Sequence, residues 1–175
     1  MKKNLCIIVL NSLLYWGVNA QTLTNEFNQA GIFHKPIYQT THHYLDTMAR
    51  FNQTQSGYKA DKWESTYIHQ GDTVVQGKGG LSCYYSVCPA LRLVAYDSIK
   101  YWQSLQVKRH PIHGFRKVVT LYIVKKDSIP VAVGKASANK NDPTGKLLGI
   151  GGAWQFFIEK SQKQNLSEVR DENLK

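Results

Sequence analysis

Apolar residues recur at helical spacing in two parts of the chain. The first set follows Thr40 and Thr41, whose hydroxyl groups are suited to cap a helix, and it predicts a helix that ends near Gln53. Its apolar members are Tyr44, Leu45, Met48 and Phe51. The second set predicts a C-terminal helix. Its apolar members are Leu147, Ile150, Trp154, Phe157 and Ile158.

Between these helices the pattern changes to that of β-strands. Residues 63–70 alternate in the manner of a strand, and a Gly-Asp turn at 71–72 precedes a short apolar run at 73–75. This arrangement predicts a hairpin. Residues 91–96 also predict a strand, whereas residues 99–107 fit a helix or a strand equally well.

The strongest strand pattern is the β-branched and apolar run at 117–124. A polar connection at 125–128 separates this run from a second one at 129–133. Proline has no N–H to donate to a neighbouring strand, so Pro130 predicts that the second strand lies at a sheet edge or starts after the proline. Together these elements predict an α+β fold in which a mostly antiparallel sheet packs with an N-terminal and a C-terminal helix.

The N-terminal segment has the three parts of a secretory signal peptide. Two lysines precede an apolar run from Leu5 to Val18, and a small-residue Val-x-Ala motif ends the segment. This run is shorter than the roughly 20 residues that a membrane-spanning helix needs. We therefore expect cleavage before Gln21, no transmembrane span after cleavage, and a periplasmic or secreted protein. The expected divisions are the signal peptide at 1–20, one domain at 21–160 and a polar tail at 161–175.

Signal cleavage changes how the cysteines are interpreted. It removes Cys6 and leaves Cys83 and Cys88, which are close together in sequence. An exported protein meets an oxidising environment, in which neighbouring cysteines form disulfides. We therefore predict a Cys83–Cys88 disulfide that shapes a short loop.

Positive charge is concentrated in the second half of the chain. The formal net charge is +10, and the segment Ser98–Lys126 contains lysines and arginines but no acidic residue. Aromatic residues lie among these cations, a combination that suits contacts with bases, sugars and phosphates. The segment therefore predicts a basic binding face. Its candidate residues are Lys100, Trp102, Lys108, Arg109, His110, Arg116, Lys117, Lys125 and Lys126.

This face favours a binding function without catalysis. We expect the partner to be anionic: a cell-envelope polymer, a nucleic acid or an acidic protein surface. We expect no cofactor and no metal. Zinc ligands of suitable type occur at Cys83, Cys88, His110 and His113, but their spacing is a poor match and a disulfide accounts for the two cysteines.

An exported hydrolase is the alternative function. In an amidase-like enzyme, Cys83 would be the nucleophile and His113 its base. In a nuclease, two groups would carry out general acid–base catalysis while a cation binds the phosphate. The nuclease candidates are His69 or Glu64 as base, His113 as acid, and Arg116 or Lys117 as the phosphate ligand.

Overall fold

The computed structural model describes residues 43–138, 149 and 151–175. Within these residues one antiparallel sheet of seven strands packs with short helices, which confirms the predicted α+β class. The helices are α1 (His43–Gln55), α2 (Cys88–Leu93), α3 (Ser98–Ser104) and a 3-10 helix (Lys160–Asn165). The strands are β1 (Trp63–Ile68), β2 (Thr73–Gly77), β3 (Tyr84–Val87), β4 (Val118–Val124), β5 (Ile129–Lys135), β6 (Trp154–Phe157) and β7 (Leu166–Asn173).

The strand order in the sheet is β1-β5-β6-β3-β2-β4-β7, and every neighbouring pair is antiparallel. The predicted hairpin of residues 63–75 is wrong, because β1 pairs with β5 whereas β2 pairs with β3 and β4. Backbone hydrogen bonds from Gly71 to Val124 and from Val124 to Asp72 hold the intervening turn at the end of β4. The turn therefore leads into β2 between two other strands.

Helix α1 confirms the predicted N-terminal helix, but a different face is buried. Leu45, Ala49 and Gln53, spaced by four residues, are buried, whereas Tyr44 and Phe51 are 47% and 61% exposed. Four-residue spacing keeps side chains on one helical face. The buried apolar residues beneath α1 form a small cluster with Trp63, Ala132 and Phe157.

The segment 91–96, predicted as a strand, is instead the end of α2 and the turn that follows it. Pro89 lies in the first turn of α2, where its missing N–H breaks no helical hydrogen bond. The ambiguous segment 99–107 contains α3. The Asp97 carboxylate caps this helix by accepting a hydrogen bond from the backbone N–H of Lys100.

The predicted C-terminal helix is wrong where the structure describes it, because residues 154–157 form β6. This strand lies between β5 and β3, and its consecutive residues Gln155, Phe156 and Phe157 are all buried. Both of its faces are therefore covered, and its apolar residues do not alternate with polar ones. Leu147 and Ile150 of the predicted helix lie outside the described residues. The segment 161–175, expected as a polar tail, contains most of the 3-10 helix and all of β7, which pairs with β4.

Strand β5 is neither an edge strand nor delayed by Pro130, so that prediction is also wrong. Pro130 lies opposite Tyr67 of β1, but β6 pairs only with residues 132–135 of β5. Among the described residues, the strand therefore has a neighbour on one side only at Pro130. Proline is tolerated at such a position for the same reason as at a sheet edge.

Cys83 and Cys88 are free thiols, so the predicted disulfide is wrong. The extended strand β3 lies between them and ends where α2 begins. At a rise of about 3.3 Å per residue, their Cα atoms are held roughly 16 Å apart. A disulfide requires Cα atoms within about 7 Å.

The predicted signal peptide and its cleavage site lie outside the described residues. In the described part of the chain, no helix combines the length and apolar character needed to cross a membrane.

Candidate active site

A cleft of about 660 Å³ opens over the centre of the sheet. Residues of α3, of the loop after it and of the C-terminal end of α1 line the cleft. This volume is in the range of small-molecule sites in proteins. The principal aromatic and apolar lining residues are Tyr58, Val75, Tyr84, Tyr85, Tyr101, Trp102, Leu105 and Phe115. The principal polar lining residues are Gln53, Gln76, Ser86, Gln106, Lys108, Arg109, His110, Arg116 and Gln155.

One transverse row of side chains forms the floor of the cleft. Val75 of β2 lies opposite Ser86 of β3, and Ser86 lies opposite Gln155 of β6. Residues directly opposite one another in antiparallel strands share a face of the sheet. The Ser86 hydroxyl is hydrogen-bonded to the hydroxyl of Tyr101, which is fully buried on α3. The register therefore places a hydroxyl pair beside the Gln155 amide.

Next to this row, the buried carboxylate of Asp61 accepts four hydrogen bonds. Gln53 Nε2 and Gln155 Nε2 donate to its Oδ2 atom at 2.6 and 2.7 Å. The backbone N–H and the hydroxyl of Ser137 donate to its Oδ1 atom, both at 2.7 Å. Among the described residues, no cation pairs with this carboxylate. Asp61 therefore positions the two glutamines through hydrogen bonds alone.

The two glutamines differ in what they leave for a ligand. Gln53 Oε1 accepts hydrogen bonds from Asp61 N–H and Trp63 Nε1, at 2.8 and 2.9 Å, so both ends of this amide are engaged inside the protein. Gln155 directs its Nε2 atom to Asp61, and its Oε1 atom has no hydrogen-bond partner among the described residues. Because Gln155 lines the cleft, it offers an oriented acceptor there.

Gly134 of β5 makes this arrangement possible. It lies opposite both Gln155 and Trp63 in the sheet. A Cβ atom on Gly134 would approach ring atoms of Trp63 to 2.8 and 2.9 Å, closer than real contacts allow. The absence of a side chain lets the indole lie against the strand, from which Trp63 Nε1 reaches Gln53.

Tyrosines line much of the cleft and are neutral near neutral pH. Burial is the largest cause that raises the pKa of Tyr58, Tyr84, Tyr85 and Tyr101 above the ordinary value of 10.0. No aspartate or glutamate is among the described lining residues. The described lining of the cleft therefore combines aromatic walls with cations and contains no negative side chain.

The structure divides the predicted basic face into separate regions. It brings five of the nine predicted binding residues to the cleft. These are Trp102, Lys108, Arg109, His110 and Arg116. Lys100 lies on α3 beside Asp97, and Lys117 donates to Ser98 Oγ at 2.8 Å near the C-terminus. Lys125 and Lys126 follow β4, at the end of that strand remote from the loop after α3.

Two of the cleft cations are engaged with the protein itself. Arg116 donates to the carbonyl oxygens of Gly77 and Lys78 at 3.2 and 3.0 Å. Lys108 Nζ donates to the Ser56 and Gly57 carbonyl oxygens, both at 3.3 Å, and lies over the Tyr58 ring. These contacts join the loop after α3 to the end of β2 and to the turn after α1. Arg109 makes no such contact within the described residues.

The amidase-like candidates are not brought together. Cys83 packs in the small cluster beneath α1, whereas His113 stacks on His110 in an exposed loop. Neither residue lines the cleft.

The nuclease candidates are also separated. His69 is bound to Asp127 at 2.8 Å, near the C-terminal end of β4, whereas Arg116 and Lys117 precede the other end of that strand. Seven residues of extended chain separate these ends by about 20 Å. Glu64 lies exposed on β1, within 3.7 Å of Lys62. Within the described ranges, no group of three His, Cys, Asp or Glu side chains is placed to hold a metal ion.

Comparison with known proteins gives a family for this architecture. A family model described as the Rhs1 C-terminal toxin domain matches residues 41–160. The chain belongs to the Rhs1 C-terminal toxin domain family. A solved structure of "Rhs1-CT in complex with cognate immunity protein RhsI1" is 30% identical in sequence, with a TM-score of 0.65. The similarity covers 75% of this chain and 97% of that chain.

Two other solved chains show weaker similarity. A structure of "Tne2 in complex with Tni2" is 14% identical, with a TM-score of 0.44, over 64% of this chain and 92% of that one. A structure of "Tse6 in complex with Tsi6" is 12% identical, with a TM-score of 0.41, over 75% of this chain and 99% of that one. No curated protein sequence matches the chain.

Membership of a toxin-domain family corrects the functional prediction. The expected non-catalytic binder of an anionic or cell-envelope partner is wrong, because the chain belongs to a toxin-domain family and its 30% identical solved relative is described in complex with a cognate immunity protein. A toxin is consistent with the secretion expected from the N-terminal segment. The sequence interpretation also missed Asp61, Gln53 and Gln155. The only local signal was Gln155 itself, a polar residue within the apolar run at 153–158.

Proposed function

We propose that this chain is an enzymatic toxin that acts on a small nucleotide bound in the cleft. The observation that carries the proposal is the composition of the cleft lining: aromatic side chains and cations around about 660 Å³, with no carboxylate among the described lining residues. Aromatic rings stack on nucleobases, and cations attract phosphate groups. A carboxylate in the lining would repel the same phosphates.

The size and the lining of the cleft favour a small substrate over a polymer. Small-molecule sites are concave and largely apolar, with a few polar groups that fix the ligand's orientation. Trp102 and Phe115 supply apolar walls here, while Gln155 and the Ser86–Tyr101 hydroxyl pair supply polar groups on the floor. The basic residues of the loop after α3 lie along the same cleft.

Gln155 has the geometry of a substrate-orienting residue. Asp61 accepts a hydrogen bond from the Nε2 end of the amide, so the carbonyl oxygen is the end left for a substrate in the cleft. That oxygen accepts a hydrogen bond from an N–H or O–H of the bound substrate. Preorganised groups of this kind contribute to catalysis because they need no reorientation during the reaction.

We also propose that a cognate immunity protein protects the producing cell from this toxin. The 30% identical relative is described in complex with such a protein. A secreted toxin fits this arrangement, since the producing cell must survive before release. An acidic surface, one of the partner types expected from the charge, would be attracted to the basic loop of the cleft.

Incubation of the purified protein with mononucleotides and dinucleotides, followed by mass spectrometry of the products, tests the proposed enzymatic function. We expect one nucleotide class to be converted by the wild type. Gln155→Leu should lose at least tenfold of this activity, because it removes the oriented acceptor. Gln164→Leu makes the same change on the exposed side of the 3-10 helix and should keep full activity.

Circular dichroism must show that both glutamine variants are folded. No conversion of any nucleotide by the folded wild type, or equal activity in Gln155→Leu, would contradict the proposal.

A further inference from the structure

A tight turn at residues 109–114 stands at the mouth of the cleft. His110 N–H donates to the Gly114 carbonyl at 3.1 Å, and Gly114 N–H donates back to the His110 carbonyl at 2.9 Å. Gly114 has φ +69°, a left-handed conformation that glycine adopts without strain. Arg109, His110, Pro111 and Gly114 all line the cleft. The turn is therefore a fixed structure that carries two nitrogen-rich side chains.

The imidazole of His110 has a defined orientation and tautomer. Its Nδ1 atom lies 3.2 and 3.1 Å from the backbone nitrogens of Ile112 and His113, which can only donate. Nδ1 is therefore an acceptor, and a neutral His110 carries its proton on Nε2. The ring is also stacked on His113, with centroids 4.7 Å apart. His110 thus offers a fixed N–H donor.

Arg109 is the cation of this cleft that the described residues leave available. Arg116 and Lys108 donate to backbone carbonyl oxygens, as described above. Arg109 has no hydrogen bond or ion pair within the described part of the chain, and its Nε atom would lie 3.5 Å from a Cβ atom if residue 114 had one. A planar guanidinium and a histidine N–H on adjacent residues can both donate hydrogen bonds to the oxygens of a phosphate.

We infer that the 109–114 turn is a phosphate-binding site in which Arg109 and His110 contact the phosphate oxygens. This inference rests on the proposed nucleotide substrate and names the residues that bind its anionic part. Lys108 and Arg116 position the loop and make no direct contact with the ligand. The turn orients the substrate, so that its remaining part extends along the aromatic walls toward Gln155.

Titration of the purified protein with inorganic pyrophosphate, and separately with a nucleoside diphosphate and its parent nucleoside, tests this site. Arg109→Gln should weaken binding of pyrophosphate and of the diphosphate by about tenfold or more, and leave nucleoside binding unchanged. His110→Phe keeps a ring to stack on His113 but removes both nitrogens, and it should weaken the same two ligands. Arg92→Gln, an exposed cation on α2 that does not line the cleft, is the matched control and should bind as the wild type.

The outcomes separate this inference from the proposed function. Wild-type affinity for both phosphate ligands in a folded Arg109→Gln variant overturns the phosphate site while leaving the nucleotide substrate in place. Pyrophosphate binding that depends on Arg109, without binding of any nucleotide, supports the phosphate site and contradicts the proposed substrate. If the wild type binds neither pyrophosphate nor a nucleotide, both are overturned.

Discussion

Gln53 and Gln155 both donate to Asp61, yet they hold different positions in the network. Gln53 bonds with Asp61 and Trp63 through both ends of its amide, whereas the carbonyl oxygen of Gln155, a residue that lines the cleft, has no partner among the described residues. A buried polar group left without a partner destabilises a protein, while an unpaired group at a cleft can serve a ligand. We therefore expect the two residues to affect different measurable properties.

Gln53→Leu should destabilise the protein by about 3 kcal/mol, because it leaves Asp61 N–H and Trp63 Nε1 without an acceptor and removes a donor to the carboxylate. Chemical denaturation measures this change. Gln155→Leu should lose less stability and more activity. If Gln155→Leu were the less stable variant, both glutamines would be structural.

At the level of single residues, the sequence indicated the cations of the cleft but not their roles. An acid-free basic segment is visible by composition, so Arg109, His110 and Arg116 could be selected as candidates. Which cation is engaged with a carbonyl oxygen depends on segments distant in sequence, such as Gly77 for Arg116. Asp61 could not be selected, because its four donors come from α1, the segment after β5, and β6.

Strand β3 determines the chemistry of the two cysteines that flank it. Proximity in sequence suggested a disulfide, but an extended strand separates its two ends by the largest distance that the chain allows. Tyr84 and Ser86 of this strand also face the cleft region. The Tyr84 hydroxyl donates to the Ala49 carbonyl oxygen, and the Ser86 hydroxyl is hydrogen-bonded to the Tyr101 hydroxyl. Drawing the cysteines together would require β3 to leave the sheet.

Cys83 and Cys88 should therefore both remain reduced in the folded, oxygen-exposed protein. Mass spectrometry after alkylation under native and denaturing conditions, without reductant, should find both labelled once the chain is unfolded. Added reductant should not change the midpoint of denaturation. A peptide that contains the intact Cys83–Cys88 disulfide would contradict the strand assignment.

Prediction of elements from sequence succeeded where local preference and tertiary environment agreed. Strand β4 is rich in β-branched residues and α1 has helical spacing, so both were predicted. Strand β6 was mistaken for a helix because a strand covered on both faces has no alternating pattern. The pairing of β1 with β5 could not be predicted, since it depends on contacts between distant segments.

At the scale of the whole molecule, strand β7 forms one edge of the sheet, and the residues after it attach that edge to the rest of the domain. Strand β7 pairs along the full length of β4, and Leu174 beyond it is buried with 6% of its surface exposed. Leu174 N–H donates to the Lys117 carbonyl, and Lys175 N–H donates to that of Tyr96. The last residues therefore connect the edge of the sheet to the segments around α3.

Leu174→Ala should destabilise the protein by about 2–4 kcal/mol through the loss of buried apolar contacts. Val169→Ala, at a half-exposed position on the same edge, should change stability by no more than about 0.5 kcal/mol. Thermal and chemical denaturation of the two variants measure the difference. Equal stability of both would mean that residues after β7 contribute nothing to the core.

The strand order affects how quickly the toxin domain folds. Most neighbouring strands are far apart in sequence, as in the pairs Trp63 with Gly134 and Tyr84 with Phe157. High contact order slows folding, because long loops must close before such pairs gain any contact. The cleft itself is assembled from segments between Gln53 and Gln155. A nascent chain that has not reached β6 therefore carries most of the toxin's residues but no assembled cleft.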